Sequence, residues 1–188
     1  MSANDARRWN KKHRQHGFYP HTPSSLIVSL EGRLPPGGAA LDVAGGSGRH
    51  ALWLAEKGFE VTLTDISSVA LEMAGEQARD RSLGLTTLQA DFDQDPLPQG
   101  PWEVICCFHF LDRKLFPDFR HGLSDNGVLF FVQPTVRNLE RHKHPSIKYL
   151  LEEGELSRLV RDAGLTVLHE EEGWLTEGRH EALVVAGL

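Results

Sequence analysis

The chain has 188 residues, 40% of them hydrophobic, which suits one domain over residues 1–188 with a full-sized core. It contains no run of about 18 apolar residues, and its opening residues are polar, so we expect a cytoplasmic protein without a membrane segment or secretory signal. A formal net charge of −6 disfavours nucleic acid as substrate or partner, because phosphate contacts usually demand a basic surface.

The opening segment, residues 1–21, carries basic side chains at positions 7, 8, 11, 12 and 14 around Trp9. A second basic stretch, RNLERHKHP, covers residues 137–145. Such runs are usually solvated surface, but these two would also suit a cationic lid that excludes water from a cleft. Both interpretations stay open, and the lid is assigned to residues 1–21.

Thr22 and Pro23 predict the N-cap and first-turn proline of a helix through Leu30. The most informative stretch follows, ALDVAGGSGRHALWLAEKG, residues 40–58. Ala39 to Val43 predicts a buried strand and Arg49 to Lys57 a helix.

The residues between this strand and helix read AGGSG, and the connection is so short that the chain must turn sharply. Glycines at 45, 46 and 48 permit positive φ and let a ligand lie against the backbone, facing the N–H groups of the helix N-terminus. Ala44 opens this loop.

The next strand, VTLTD, ends at Asp65, which Ile66 follows. A carboxylate about twenty residues after a glycine turn is placed to reach ribose hydroxyls. Ser67 or Ser68 then predicts the N-cap of a helix to about Arg81. A third strand, LTTLQADF, ends in Asp91 and Phe92, an acceptor and an aromatic ring that suit an adenine.

Trp102 to Phe108 predicts a fourth strand, SDNG (124–127) a turn, and Val128 to Val132 a fifth strand. Cys106 and Cys107 are adjacent in the fourth strand, which suits neither a disulfide nor a metal site, so we expect core packing and no metal. His109 follows the strand where it opens toward the cleft and is a candidate catalytic group, although a buried core histidine is an equal interpretation.

After a short helix from Glu155 to Ala163, LTVLHEE and HEALVVAGL predict two strands joined by a loop too short for a crossover helix. They should pair as an antiparallel hairpin at the sheet edge. Arg179 and His180, in the loop of this hairpin, are candidates to meet an anionic acceptor, although exposed loop charge is the commoner interpretation. The fold predicted is α/β and Rossmann-like: a doubly wound, mostly parallel sheet of seven strands with a C-terminal antiparallel hairpin.

Three interpretations of the glycine loop are open. Gly46, Gly48 and Ala51 fit the dinucleotide pattern GxGxxG/A, which predicts an NAD(P)-dependent oxidoreductase. A turn without any ligand is the second. Asp42 favours a third interpretation, a site for a cationic or amine-bearing ligand. A carboxylate just before the turn suits such a ligand and is unfavourable beside a pyrophosphate.

Asp42 with AGGSG, Asp65, and Asp91 with Phe92 resemble the successive motifs of class I S-adenosylmethionine-dependent methyltransferases, whose first motif commonly reads D-x-G-x-G-x-G. Here Ala44 stands at the first glycine. The resemblance implies S-adenosyl-L-methionine as cofactor. It places Asp42 and loop residues Ala44, Gly45, Gly46 and Gly48 near the methionine part, Asp65 at the ribose, and Asp91 and Phe92 at the adenine. Ile66 and Phe108 are further candidates to bind the cofactor.

WNKKHR, LLEEGELSRLV and GRHEALVVA are similar to the tellurite-resistance branch of small methyltransferases, whose members also resemble thiopurine methyltransferases. This resemblance implies methyl transfer to a small-molecule acceptor, a thiol or a chalcogen oxyanion, with no nucleic acid, membrane or protein partner. The alternatives are a non-catalytic S-adenosylmethionine-binding sensor or partner subunit, and an NAD(P)-binding oxidoreductase. The oligomeric state is left open.

Overall fold

The computed structural model describes residues 3–18, 22–175 and 178–188. Seven strands form a single sheet, with bounds β1 Ala39–Val43, β2 Glu60–Asp65, β3 Leu85–Gln89, β4 Trp102–Phe108, β5 Leu123–Pro134, β6 Thr166–Trp174 and β7 His180–Gly187. Within these ranges six α-helices accompany them: α1 Ala3–His16, α2 Ser25–Ser29, α3 Arg49–Glu56, α4 Ser68–Asp80, α5 Phe116–Gly122 and α6 Glu155–Asp162. Among the described residues, no helix is both long and apolar enough to cross a membrane.

The strand order is β3-β2-β1-β4-β5-β7-β6. The first five strands pair in parallel, and β7 lies antiparallel between β5 and β6. The predicted fold class and C-terminal hairpin are therefore confirmed. Because the chain moves outward from β1 to β2 and then returns to β4, a crevice opens where the carboxyl ends of β1 and β4 meet, which is where doubly wound sheets bind ligands.

Helices cover both faces of the sheet. One core joins the sheet to α2, α3 and α4, and the other joins it to α5 and α6. Successive strand residues point to opposite faces, so Cys106 packs into the first core and Cys107 into the second. Burial raises the pKa of both thiols well above the usual range, which agrees with the packing role expected for them.

Several predicted boundaries are corrected. The helix expected from Thr22 is shorter, because the N–H of Leu26 donates to the hydroxyl of Ser24, which is the N-cap. The third strand ends at Gln89, before Asp91 and Phe92.

The SDNG segment is also corrected, since residues 124–127 belong to β5 instead of forming a separate turn. They are extra residues in its ladder with β4, between the pairs Trp102–Leu123 and Val104–Val128. Ladder pairing on both sides of an irregularity keeps the segment extended, which local turn propensity does not predict. Helix α5 was not predicted.

Candidate functional site

The loop from residue 44 to residue 48 connects β1 to α3, and three of its residues have a left-handed backbone conformation. Ala44, Gly46 and Gly48 have φ of 52°, 60° and 82°. Gly45 lies so close to the sheet that a Cβ there would sit 2.4 Å from Asp42 Oδ2, and no larger residue fits without displacing that carboxylate. The tight turn predicted from the glycines is therefore present, with alanine in one of its left-handed positions.

Asp42 lies beneath this loop instead of on the cleft. Its side chain is fully buried, and its Oδ2 accepts the N–H of Ala51 at 3.0 Å, which ties β1 to the first turn of α3. Its Oδ1 is buried with no hydrogen-bond partner among the described residues. Burial raises the pKa of Asp42 to about 7, so this carboxyl group holds a proton more readily than an exposed one.

Asp65 joins the end of β2 to the glycine loop. Its Oδ2 accepts the N–H of Gly46 and its Oδ1 accepts the N–H of Ser67, both at 2.8 Å. The side chain lines the cleft and is almost completely buried. Burial raises the pKa of Asp65 in spite of these N–H donors. Each oxygen has a second lone pair, so the carboxylate can still accept a hydroxyl from a ligand.

A cleft of about 520 Å³ opens beside the loop, at the carboxyl ends of the central strands. This volume is in the range of small-molecule sites, about 300–1,000 Å³. The predicted residues that line it are Ala44, Gly45, Gly46, Asp65, Ile66, Phe92, Phe108, His109 and Arg179. The predicted residues outside its lining are Asp42, Gly48, Asp91 and His180.

Asp91 and His180, which lie outside the lining of the cleft, form hydrogen bonds with other groups of the protein. The carboxylate of Asp91 accepts the N–H of Asp93 and the side-chain amide of Gln94, both at 3.2 Å, and so holds the turn after β3. His180 is buried, with Nδ1 2.7 Å from the hydroxyl of Thr135. Neither contact can be read from the residue's place in the sequence, because each depends on which way a side chain points after its strand.

His109 follows β4 and is held by a second residue that the sequence does not single out. Its Nε2 lies 2.6 Å from Oε1 of Glu181, whose side chain is fully buried. The backbone of His109 is left-handed, with φ of 61°, and its N–H donates to the carbonyl of Val132. The imidazole is therefore held to β7, and its backbone to β5.

Helix α1 supplies a wall of the cleft that the sequence did not predict in detail, with Trp9, Lys12, His13 and His16 all lining it. Asn10 docks the helix, because its Oδ1 accepts the hydroxyl of Ser67 at 2.7 Å and the N–H of Val69 at 3.3 Å. These partners lie far away in the chain, so only the folded arrangement reveals the wall.

The rest of the cleft is mainly cationic or apolar. Ser47, Arg49, His50 and Phe110 also line it, and all four stand close to motifs already noted in the sequence. Burial lowers the pKa of His50 well below its usual range, so this imidazole is neutral. Among the described residues that line the cleft, Lys12, Arg49 and Arg179 are cationic and Asp65 supplies a carboxylate. Cationic side chains in a cleft suit an anionic ligand group.

Residues 40–127 match a family model described as a methyltransferase domain. Among curated proteins, the chain is similar to a putative methyltransferase, YqeM, of Bacillus subtilis (35% identity over 111 residues, 54% of this chain and 44% of that protein). It is also similar to a glycine/sarcosine N-methyltransferase of Halorhodospira halochloris (31% identity, 56% and 43%). A ribosomal RNA small subunit methyltransferase B of Thermus thermophilus matches as well (31% identity, 57% and 28%). The match thus spans less than half the length of each relative.

Solved structures extend the likeness to nearly the whole chain. One, from work on the conversion of a disulfide bond into a thioacetal group during echinomycin biosynthesis, superposes with a TM-score of 0.77 at 19% identity, covering 97% of this chain and 91% of that one. TehB from Haemophilus influenzae superposes with a TM-score of 0.75 at 18% identity, covering 93% and 65%. At such identities the likeness is one of fold.

Proposed function

Because residues 40–127 match a methyltransferase-domain model and the fold is shared with S-adenosylmethionine-dependent methyltransferases, we propose that the chain transfers a methyl group to a small thiol or chalcogen oxyanion. The observation that supports this is the cleft itself, where the glycine loop and Asp65 adjoin a group of cationic side chains. The matched relatives range in name from a glycine/sarcosine enzyme to a ribosomal RNA enzyme, so the acceptor class needs its own test.

The residues of the cleft fit the cofactor chemically. Asp65 presents a carboxylate for ribose hydroxyls, and Ile66 and Phe92 present apolar surface for an adenine. Gly45 and Gly46 bring bare backbone to the same side. S-adenosylmethionine supplies a methyl group already activated on a sulfonium, whose bonding electron pair stays with the departing neutral thioether.

The chain's own task is therefore to orient the acceptor and keep water away. Arg179 and Lys12 both line the cleft, and we propose that they hold an anionic group of the acceptor. We propose that α1 closes over the bound molecules, with Trp9 providing the apolar cover. The lid was assigned to residues 1–21, of which 1–2 and 19–21 lie outside the described residues.

The acceptor is identified by incubating the protein with methyl-labelled S-adenosylmethionine and a panel of thiols, thiopurines, selenite and tellurite, with ribosomal RNA and cell protein in parallel. We expect label on a small thiol or chalcogen compound. Label found only on RNA or protein overturns the acceptor class while leaving the cofactor in place.

The cofactor site is tested by Asp65→Asn. We expect the affinity for S-adenosylmethionine to fall by roughly 1–3 kcal/mol in calorimetry, because a charged acceptor is lost from a buried position. Stability should fall as well, since both oxygens also hold main-chain N–H groups. Asp91→Asn is the matched control in the turn after the neighbouring strand β3, and equal losses of affinity in the two variants contradict the placement.

A further inference from the structure

The pair formed by His109 and Glu181 adds a specific chemical capability to the cleft. Glu181 Oε1 lies 2.6 Å from Nε2 of the imidazole, and Glu181 Oε2 is buried without a hydrogen-bond partner among the described residues. A carboxylate can only accept, so the nitrogen facing it must carry a hydrogen. Whenever the ring is neutral, Nε2 is therefore the nitrogen that carries the hydrogen.

The remaining ring nitrogen, Nδ1, then carries a lone pair. It has no hydrogen-bond partner among the described residues, and the side chain of His109 is 29% exposed and lines the cleft. Of the three described non-glycine residues with left-handed φ, two, Ala44 and His109, line this cleft. Backbone strain of this kind collects at functional sites, where the surrounding structure maintains it.

We propose that Glu181 is a positioning residue that holds His109 with Nδ1 available as a general base, and that the acceptor is a thiol that enters the cleft protonated. This rests on the proposed function. As the thiol sulfur forms its bond to the methyl carbon, its S–H bonding electrons stay on sulfur and the proton passes to Nδ1. The imidazolium is stabilised by the Glu181 carboxylate and returns the proton to water after product leaves. A chalcogen oxyanion would not require this base.

The chain also contains a second pair of this kind, in which His169 Nε2 lies 2.8 Å from Oε1 of the exposed Glu171 on β6. That pair has the same chemistry and lies outside the lining of the cleft. Glu171→Leu therefore controls for the loss of a histidine's carboxylate partner.

The test is an ¹⁵N–¹H multiple-bond NMR spectrum of histidine-labelled protein without cofactor, which shows which ring nitrogen carries the hydrogen. It is recorded at a pH at which the imidazole rings are neutral. His109→Asn identifies the signals, because asparagine accepts a left-handed backbone readily. We expect a single tautomer for His109, with Nε2 protonated, which becomes a mixture in Glu181→Leu and stays single in Glu171→Leu. The inference is overturned if His109 of the wild-type protein is protonated on Nδ1 or is already a mixture of tautomers. It is also overturned if the tautomer of His109 is unchanged in Glu181→Leu. The wild-type spectrum decides even if that variant does not fold.

Kinetics with 2-mercaptoethanol as probe extend the test. We expect His109→Asn to lower kcat by roughly 100-fold or more, because this is the usual rate contribution of a general base. The Kd for S-adenosylmethionine should be unchanged. With 5-thio-2-nitrobenzoate, whose thiol is already ionised, the same variant should lose far less of its kcat. Equal losses for both thiols contradict the proton-transfer role. Calorimetric binding of S-adenosylmethionine reports separately on the proposed function, so the two failures are distinguishable.

Discussion

Ala44 is a residue whose backbone conformation does not match its side chain, since its φ is 52°. A left-handed L-residue costs about 1–2 kcal/mol, whereas glycine adds about 0.5–1 kcal/mol of unfolded-chain entropy. We therefore expect Ala44→Gly to raise the free energy of unfolding by up to ~1 kcal/mol in urea titrations.

The matched control for Ala44→Gly is Ala163→Gly, where the backbone is right-handed with φ of −75°. This substitution should lower stability by about 0.5–1 kcal/mol. If the two variants change stability in the same direction, strain at Ala44 is not the cause.

Asp42 should make stability depend on pH in an unusual direction. Its pKa is about 7 in the folded protein and 3.8 in an unperturbed chain, so between these values the unfolded state releases the proton that the folded state keeps. The stability that this group contributes is fully present below a pH of 3.8 and is lost as the pH rises through about 7. The loss is at most ~4 kcal/mol.

We expect Asp42→Asn to remove this loss, so that its stability relative to wild type improves between about pH 4 and about pH 7. Asparagine retains one oxygen to accept the N–H of Ala51. Urea titrations across this pH range provide the check, with the exposed Asp118→Asn as control. A constant difference between Asp42→Asn and wild type across the range would show that Asp42 does not titrate there.

At the scale of elements, the side-chain amide of Asn10 ties α1 to the N-terminus of α4. Asn10 Oδ1 accepts from Ser67 and Val69, and the hydroxyl of Ser67 in turn accepts the N–H of Ala70 as the N-cap of α4. We expect Asn10→Ala to loosen α1, raising amide hydrogen exchange across Ala3–His16 and weakening binding of S-adenosylmethionine several-fold.

Asn4→Ala is the matched control for this helix, since Asn4 is exposed and its Oδ1 accepts only from Arg7 among the hydrogen bonds of the described residues. It removes the same side chain from the same element without touching α4. Exchange that rises equally in both variants means that helix propensity, and not docking, governs α1.

At the scale of the whole molecule, the cleft draws residues from α1, the glycine loop, the ends of β2 and β4, and the loop before β7. A ligand bound there should stabilise the fold as one unit. At one hundred times its Kd, S-adenosylhomocysteine adds ~2.7 kcal/mol, which should raise the Tm by roughly 5–10 °C for a chain of this size. Differential scanning calorimetry measures the shift, and an equal shift with NAD would favour a dinucleotide site.

The amino-acid sequence by itself determined the order of the elements around the site. β1, the glycine loop, α3 and β2 follow from hydrophobic runs and glycine positions within residues 39–65, because each depends on near neighbours in the chain. Parallel pairing then brings Asp65 and the loop to one sheet edge. The fold class and the C-terminal hairpin were predictable for the same reason.

Only the tertiary structure decided which of these residues face the cleft. His109 and Glu181 stand 72 positions apart, and α1 meets α4 through Asn10 and Ser67 at a separation of 57. Asp42 lies under the loop and Asp91 holds the turn after β3, and neither is in the lining of the cleft. Side-chain direction and partners distant in the chain depend on three-dimensional packing, and local sequence patterns carry neither.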